Sequence, residues 1–296
     1  MGLSDRGRSL WYKFAMLKNL SLASLLFLAS CTGGSQSVSQ ITPEAAIING
    51  LNVREANPLS KSIVHLMTHV EGMSMECGGT LIAEDIVLTA AHCLQGAQAP
   101  EDITIELGVN LFPYTIQSYE AESFLIHENF SFQHFEVPGF VLDGNDIAII
   151  KFKGVLPADY HPIEVLKSAD LVTSESIIHI YGYGTNKIEY RKIADPQDIS
   201  NLEDYIKMGY VVCNAERTSC SGADLQSPNK LLRGVSRRVV LAETDFMINY
   251  EDFKFGICPG DSGGPAFLKI DGKYYLYGIA SRIFGDELCK GYSIYT

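Results

Sequence analysis

Basic charge is scarce in this 296-residue chain: 23 Lys and Arg stand against 35 Asp and Glu, a formal net charge of −12. No Lys/Arg block interrupts the acidity. A nucleic-acid binder needs a basic footprint against the phosphates, so no nucleic-acid partner is expected. Membrane-length apolar runs are missing as well. The apolar stretch Leu20–Ser30 (LSLASLLFLAS) has eleven residues, whereas a spanning helix needs about 20. There is no CxxC pair and no tight Cys/His cluster of the kind that holds zinc, so no metal site is expected. No internal repeat or heptad stands out, and helical periodicity is confined to single turns near Ala90–Leu94 and Asn201–Lys207. Apolar residues make up 46% and charged residues 20%. That balance suits a globular protein with a real core and excludes disorder, a coiled coil and a collagen-like rod. The length allows one or two domains of about 100–200 residues each.

Arg6, Arg8, Lys13 and Lys18 precede the apolar stretch, and a basic flank before a short apolar run is the pattern of an export signal. Its end, Leu28-Ala29-Ser30-Cys31, resembles the bacterial lipobox, in which the cysteine is lipidated and becomes the new N-terminus. The alternative is ordinary cleavage near Ala29-Ser30, with Cys31 incidental. Met16 opens a compact signal of its own and is a second candidate start. Thr32–Ala46 (TGGSQSVSQITPEAA) is rich in Ser, Gln and Gly and reads as a flexible tether or pro-segment. The expected boundaries are therefore 1–30 for the signal and 31–46 for the tether. Without the first 46 residues the chain keeps 19 basic against 33 acidic residues, so the body is more acidic than the whole. The protein is expected to be exported and held at the outer membrane or cell envelope only through a lipid on Cys31.

Seven cysteines are an odd number, and the lipid on Cys31 accounts for the odd one. An even count in an exported chain suggests disulfides, although six cysteines allow fifteen connectivities. Sequence proximity favours Cys77–Cys93, Cys213–Cys220 and Cys258–Cys289, with free buried thiols as the alternative. Ser62–Thr68, Ile86–Ala90, Ile103–Leu107, Ile147–Phe152, Ile177–Tyr181, Val235–Leu241 and Tyr274–Ala280 are short, β-branched or aromatic, and bounded by turn-formers. They predict antiparallel β-sheet, as sandwich or barrel. Val155–Pro162, with two prolines, reads as a connector between two halves. Thr185–Lys230 is long, polar and strand-poor, and reads as an exposed insertion loop closed by Cys213–Cys220.

Gly260-Asp261-Ser262-Gly263-Gly264-Pro265 carries the most chemistry. A serine among glycines sits on a tight backbone whose N–H groups can face a developing oxyanion. Its hydroxyl is a poor nucleophile until a base takes the proton, a task suited to imidazole near neutral pH. The chain offers His92, within Leu88-Thr89-Ala90-Ala91-His92-Cys93, and Asp146, which enters the apolar run Ile147-Ala148-Ile149. A carboxylate at the mouth of a buried strand needs a partner. Taken singly, Ser262 is a Gly-rich turn and His92 a satisfied core histidine.

Together, in this order, TAAHC, DIAII and GDSGGP resemble the motifs of trypsin/chymotrypsin-type serine proteases. Ile47-Ile48-Asn49-Gly50 resembles that family's mature N-terminus, and Cys77-Gly78-Gly79-Thr80-Leu81 the strand whose Cys bridges to the one beside the catalytic His. Gly182-Tyr183-Gly184 resembles its Gly-Trp-Gly, and Ser281 and Tyr295-Thr296 the ends of its last two strands. The resemblance covers residues 47–296. It implies an all-β fold of two antiparallel six-stranded β-barrels (47–155 and 156–296) with the active site between them, as in chymotrypsin. It also implies a serine endopeptidase with no cofactor. Ser262 would attack the peptide carbonyl, with His92 as general base and then acid, Asp146 orienting it, and the amides of Gly260 and Ser262 as oxyanion hole. The α-amino group of Ile47, freed by an activating protease, would pair with Asp261. The preceding residue is Ala46, so a trypsin-like activator is not expected.

Specificity rests on Gly256, Ile257, Ser281, Ile283 and Ser293 as expected substrate-pocket residues. The uncharged Gly256 stands where trypsins carry Asp, and Ile283 where a Gly is usual, which together predict a narrow slot for small aliphatic side chains. Asp286 and Glu287 nearby favour a cation instead. Arg282 replaces the usual Trp. The family continues into a C-terminal helix, and none follows Thr296 in this sequence. Leu111–Glu128 resembles a calcium loop of some relatives but lacks dense oxygen-ligand spacing, and His127 and His134 read as loop residues. Thr185–Lys230 reads as a solvated insertion, with a lid or partner site as the alternative. Residue order separates the rivals. An α/β-hydrolase elbow around Ser262 needs a later His, and no histidine follows position 179. A subtilisin-like order would use Asp85, which has no supporting motif. The rival of another class is an inactive protease-fold binding or adhesion lipoprotein.

Overall fold

Residues 103–107 (ITIEL) show why this chain makes sheet. Ile103, Ile105 and Leu107 are buried while Thr104 and Glu106 face outward, the period of two that a pleated strand imposes. The computed structural model describes residues 47–70, 72–111, 113–131, 144–207, 209–241, 244–285 and 288–296, without the side chains of 169 and 239–241. The expected signal, tether, Cys31, Ala46, His134, Asp286 and Glu287 lie outside the described residues.

A short β1 (Leu51–Asn52) precedes β2 (Ile63–Val70), β3 (Met73–Ala83), β4 (Ile86–Thr89), β5 (Ile103–Leu107), β6 (Gln117–Ile126) and β7 (Ala148–Phe152). Strands two to seven close a six-stranded antiparallel barrel in the order β2-β3-β4-β7-β6-β5. Its core includes Leu66, Leu81, Val87, Ile105, Ile150 and Phe152. Each such side chain, fully buried, contributes about 1.5–3 kcal/mol.

The second half contains β8 (Ile177–Gly182), β9 (Lys187–Lys192), β10 (Val211–Cys213), β11 (Cys220–Gln226), β12 (Leu232–Leu241), β13 (Phe246–Asn249), β14 (Pro265–Ile270), β15 (Lys273–Phe284) and β16 (Tyr292–Tyr295). Six of these run β12-β13-β16-β15-β14-β8, and pairing of β12 with β8 closes the second barrel. Ile178, Ile180, Ile248, Ala266, Leu268 and Tyr295 form its core, and Ile47 is buried among them. A separate apolar cluster joins the barrels, with Ile63 and Val109 from one side against Tyr181, Tyr183 and Phe267 from the other. There the Tyr183 hydroxyl donates to the Gly108 carbonyl at 2.8 Å.

All three expected disulfides are present: Cys77–Cys93, Cys213–Cys220 and Cys258–Cys289. The expectation of a strand-poor insertion is corrected. Within 185–230, β9, β10 and β11 form their own three-stranded antiparallel sheet, and Leu202–Lys207 is helical. The polar composition concealed it because the sheet is small and half-exposed: Lys187, Glu189, Tyr190 and Arg191 face partly to solvent. Cys213 lies directly opposite Cys220 in its ladder, so the disulfide staples two paired strands instead of closing an irregular loop.

Candidate active site

His92 opens a 3-10 turn, His92–Leu94, directly after β4. Ala90, Ala91, Cys93 and Leu94 around it are fully buried, and Cys93 is tied to β3 through Cys77, so the backbone under the imidazole is fixed. Asp146 stands two residues before β7. The antiparallel register sets Ala148 opposite Thr89, so continuing the pair outward brings Asp146 beside Ala91 and His92. Asn145 takes the left-handed conformation (φ 47°), which Asn tolerates better than most residues.

The Asp146 carboxylate is fully buried and saturated. Oδ1 accepts from the His92 amide at 2.9 Å, while Oδ2 accepts from His92 Nδ1 at 2.7 Å and from Ser281 Oγ at 2.7 Å. Burial works to raise its pKa, but the hydrogen bonds and charge of His92, with the Ser281 hydroxyl, outweigh it and hold the carboxyl below its usual range. An ionised carboxylate only accepts, so Nδ1 carries a proton and Nε2 of the neutral ring is left with its lone pair.

Ser262 sits on the tight turn between Cys258 and Pro265. Gly263 has φ 75°, and a Cβ there would lie 2.2 Å from Thr89 Oγ1 and 2.3 Å from the Gly78 carbonyl oxygen. Only glycine lets this turn press against the first barrel beside His92. The Gly78 amide donates to the Ser262 carbonyl across the same seam, at 2.6 Å. Along the turn the amides of Cys258, Asp261, Gly263 and Gly264 are bonded, to Asp261 Oδ2 and to the carbonyls of Cys258, Ala280 and Asp261 in turn. Those of Gly260 and Ser262 have no acceptor among the described residues.

Asp261 points away from Ser262 into the second barrel. It accepts from the amides of Gly184 (2.9 Å), Cys258 (2.8 Å) and Ile47. Burial dominates these bonds and pushes its pKa up to about 7.

The expected pocket residues lie close together. The Gly256 carbonyl accepts from the Ile48 amide at 3.0 Å, and a Cβ on Gly256 would meet the Cys289 carbonyl oxygen at 2.4 Å. The buried Ser293 hydroxyl accepts from the Ile257 amide at 3.0 Å, and Ile283 pairs with Ser293 across β15 and β16. Ser281 uses its hydroxyl on Asp146, a link that sequence reasoning missed. The signal available was only the position of Ser281 at the end of a strand. Cys77, His92 and Cys93 approach one another like metal ligands, but both sulfurs are spent in a disulfide.

Two closed barrels with an Asp–His pair and a Gly-flanked Ser at their seam define a class, the chymotrypsin-like proteases. The Trypsin family model matches residues 51–296, and the chain belongs to this family of serine proteases. It is 24% identical over 287 residues to chymotrypsin-like elastase family member 1 of Felis catus, covering 95% of this chain and 94% of that protein. The solved structure of HL collagenase superposes with a TM-score of 0.59 at 19% identity, covering 84% of this chain and 93% of that one. The latter likeness establishes the fold.

Proposed function

We propose that the chain is a serine endopeptidase using His92, Asp146 and Ser262. Nε2 of His92 takes the Ser262 proton as Oγ attacks the peptide carbonyl, Asp146 stabilises the imidazolium, and His92 returns the proton to the leaving amine. Water then enters by the same route and hydrolyses the acyl-enzyme. The observation that carries the reading is the pair of amides, Gly260 and Ser262, that have no acceptor among the described residues, on a turn whose other amides are all engaged. Donors held ready where negative charge develops are the largest single contribution in such sites, each worth about 100–1,000-fold in rate.

Cleavage at Ala46–Ile47 is proposed as the activating step. Ile47 is fully buried, with its amide on Asp261 and φ at 49°, a conformation that costs a β-branched residue. Cutting removes that torsion and converts the amide into an α-ammonium facing a buried carboxylate. With Cys31 lipidated, the same cut releases the enzyme from the membrane. Substrates are proteins or peptides, with a small aliphatic residue before the scissile bond. That preference also fits the elastase name of the feline relative.

The test is labelling by a fluorophosphonate probe before and after cleavage at Ala46–Ile47, with Ser262→Ala as control. Serine-dependent labelling that rises on cleavage supports the reading. A folded, cut chain that stays unlabelled overturns it in favour of a protease-fold binding protein.

A further inference from the structure

Ser281 and Arg282 are consecutive residues of β15, and in a regular strand their side chains would point to opposite faces. The register with β16 slips between Ala280 and Arg282, leaving Ser281 as the extra residue of a bulge. Bulges re-aim side chains, and here both neighbours enter one hydrogen-bonded chain. Arg282 Nη1 donates to Ser281 Oγ at 3.0 Å, and Ser281 Oγ donates to Asp146 Oδ2 at 2.7 Å. Arg282 Nη2 lies 3.0 Å from Asp245 Oδ2. Asp245 Oδ1 in turn accepts from the hydroxyls of Thr296 (3.1 Å) and Thr244 (3.4 Å). The Asp245 side chain is fully buried and that of Arg282 is 11% exposed.

We infer that the Arg282–Asp245 pair is a positioning device for the proposed triad, which fixes the Ser281 hydroxyl on Asp146 and sets the charge balance that His92 experiences. The inference rests on the serine-protease reading above. Its first half follows from donor counting. A guanidinium can only donate, so the Ser281 oxygen must accept from Arg282 and its single proton is directed to Asp146. Without Arg282 that hydroxyl is free to rotate.

The second half follows from charge. Arg282 stands one hydroxyl away from Asp146, and a cation there opposes the imidazolium form of His92. Asp245, on the far side of Arg282, offsets part of that effect. Among the described residues two other titratable or charged groups, Tyr295 and Arg238, lie near the pair. Tyr295 of β16 lies opposite Ala280 and Phe246, with Asp261 beyond it. Arg238 of β12 is engaged by the Tyr277 hydroxyl and the Val172 carbonyl.

The test follows the rate of fluorophosphonate labelling of the full chain, cut at Ala46–Ile47, from pH 5 to 9. Wild type is compared with Arg282→Met, Asp245→Asn and the double variant. Arg282→Met should move the acid-side half-point of the rate upward, and Asp245→Asn should move it downward, each by about half a pH unit. The double variant should return near the wild-type half-point with a lower maximum rate. Shifts of opposite sign are not produced by loosened packing. If Arg282→Met fails to fold, the downward shift in Asp245→Asn still decides the matter. Coincident half-points in a labelled wild type and its folded variants overturn this inference alone. An unlabelled wild type overturns the triad reading, and the inference with it.

Discussion

Replacing Asp261 with Asn should affect stability in opposite directions before and after the chain is cut at Ala46–Ile47. In the uncut chain the Asp261 carboxyl is fully buried and faces the amides of Gly184, Cys258 and Ile47, with no cation paired to it among the described residues. Burial raises its pKa from 3.8 to about 7 in spite of those bonds. Between about pH 4 and 7 the folded protein therefore keeps a proton that the unfolded chain has lost. Stability falls as pH rises through that window, and the fall amounts to about 4 kcal/mol. Asn has nearly the same shape and cannot ionise, so the uncut Asp261→Asn protein lacks this fall. Its NH2 replaces one oxygen that accepts from a backbone amide, a loss of about 1–3 kcal/mol, which leaves a net gain of about 1–3 kcal/mol on wild type near pH 8. Cutting reverses the sign. The new α-ammonium of Ile47 then has Asp261 as its partner, and removing one member of a buried pair costs about 3–5 kcal/mol. The assay is urea denaturation with disulfides intact, in a Ser262→Ala background that prevents self-cleavage, for cut and uncut protein. Parallel pH–stability curves in the uncut chain, or an effect of the same sign in both forms, would refute the reasoning.

Other outcomes follow from the same geometry. Asp146→Asn removes the acceptor that holds Nδ1 protonated, so the rate of probe labelling should fall about 10⁴-fold while the chain stays folded. Gly184→Ala places a Cβ 2.5 Å from the Asp261 amide nitrogen and 2.6 Å from the Pro259 carbonyl oxygen. The turn must shift, and since a displacement of about 1 Å costs about 100-fold, labelling should drop by at least that factor; an undiminished rate would show that the turn is not held by this contact. Joint replacement of Cys213 and Cys220 by Ser opens a link of sequence separation 7. It should destabilise the small sheet by about 2 kcal/mol, visible as faster amide exchange in β10 and β11, with Ser262 labelling unchanged. In a peptide panel differing only before the scissile bond, Ala or Val should be cut faster than Arg, and preference for Arg would defeat the proposed pocket.

Most of both barrels was legible in the chain where inward and outward residues alternate. The run Ile103–Leu107 matches β5 residue for residue, and Ile147–Phe152 differs from β7 by one residue. Strands that depart from alternation were harder to read. Gln117–Ile126 buries only Tyr119 and Ala121, so no apolar stripe marked it as β6. The sheet of β9, β10 and β11 gave still less signal, because its strands pair with one another and only Val211 and Cys220 are buried, while Ile188, Ala223 and Leu225 pack half-buried against the cluster of Cys258 and Leu288. In Gly182-Tyr183-Gly184 the motif already held a physical reason. A Cβ on Gly182 would fall 2.0 Å from Asp261 Oδ1, and the Gly184 amide donates to that same oxygen. Tertiary contact then shows why glycine is required at positions that the sequence could only mark as similar.

The site divides along the same line. His92, Asp146 and Ser262 stand in short motifs because each needs a particular local backbone, a 3-10 turn, a strand entrance and a glycine turn. What orients Asp146 from behind is not local. Arg282 meets Asp245 across 37 residues of chain, and only the bulge at Ser281 turns the two consecutive side chains of β15 into one network. No spacing rule predicts such a bulge, so Arg282 read as an isolated departure from the family's Trp. Its burial beside Asp245 gives that substitution a different meaning. An exposed Arg on this strand would face substrate, whereas one held between Ser281 and Asp245 would act on the proposed base, His92. Replacement of Asp245 by Asn would leave TAAHC, DIAII and GDSGGP untouched and, on the proposed reading, still move the pH dependence of probe labelling.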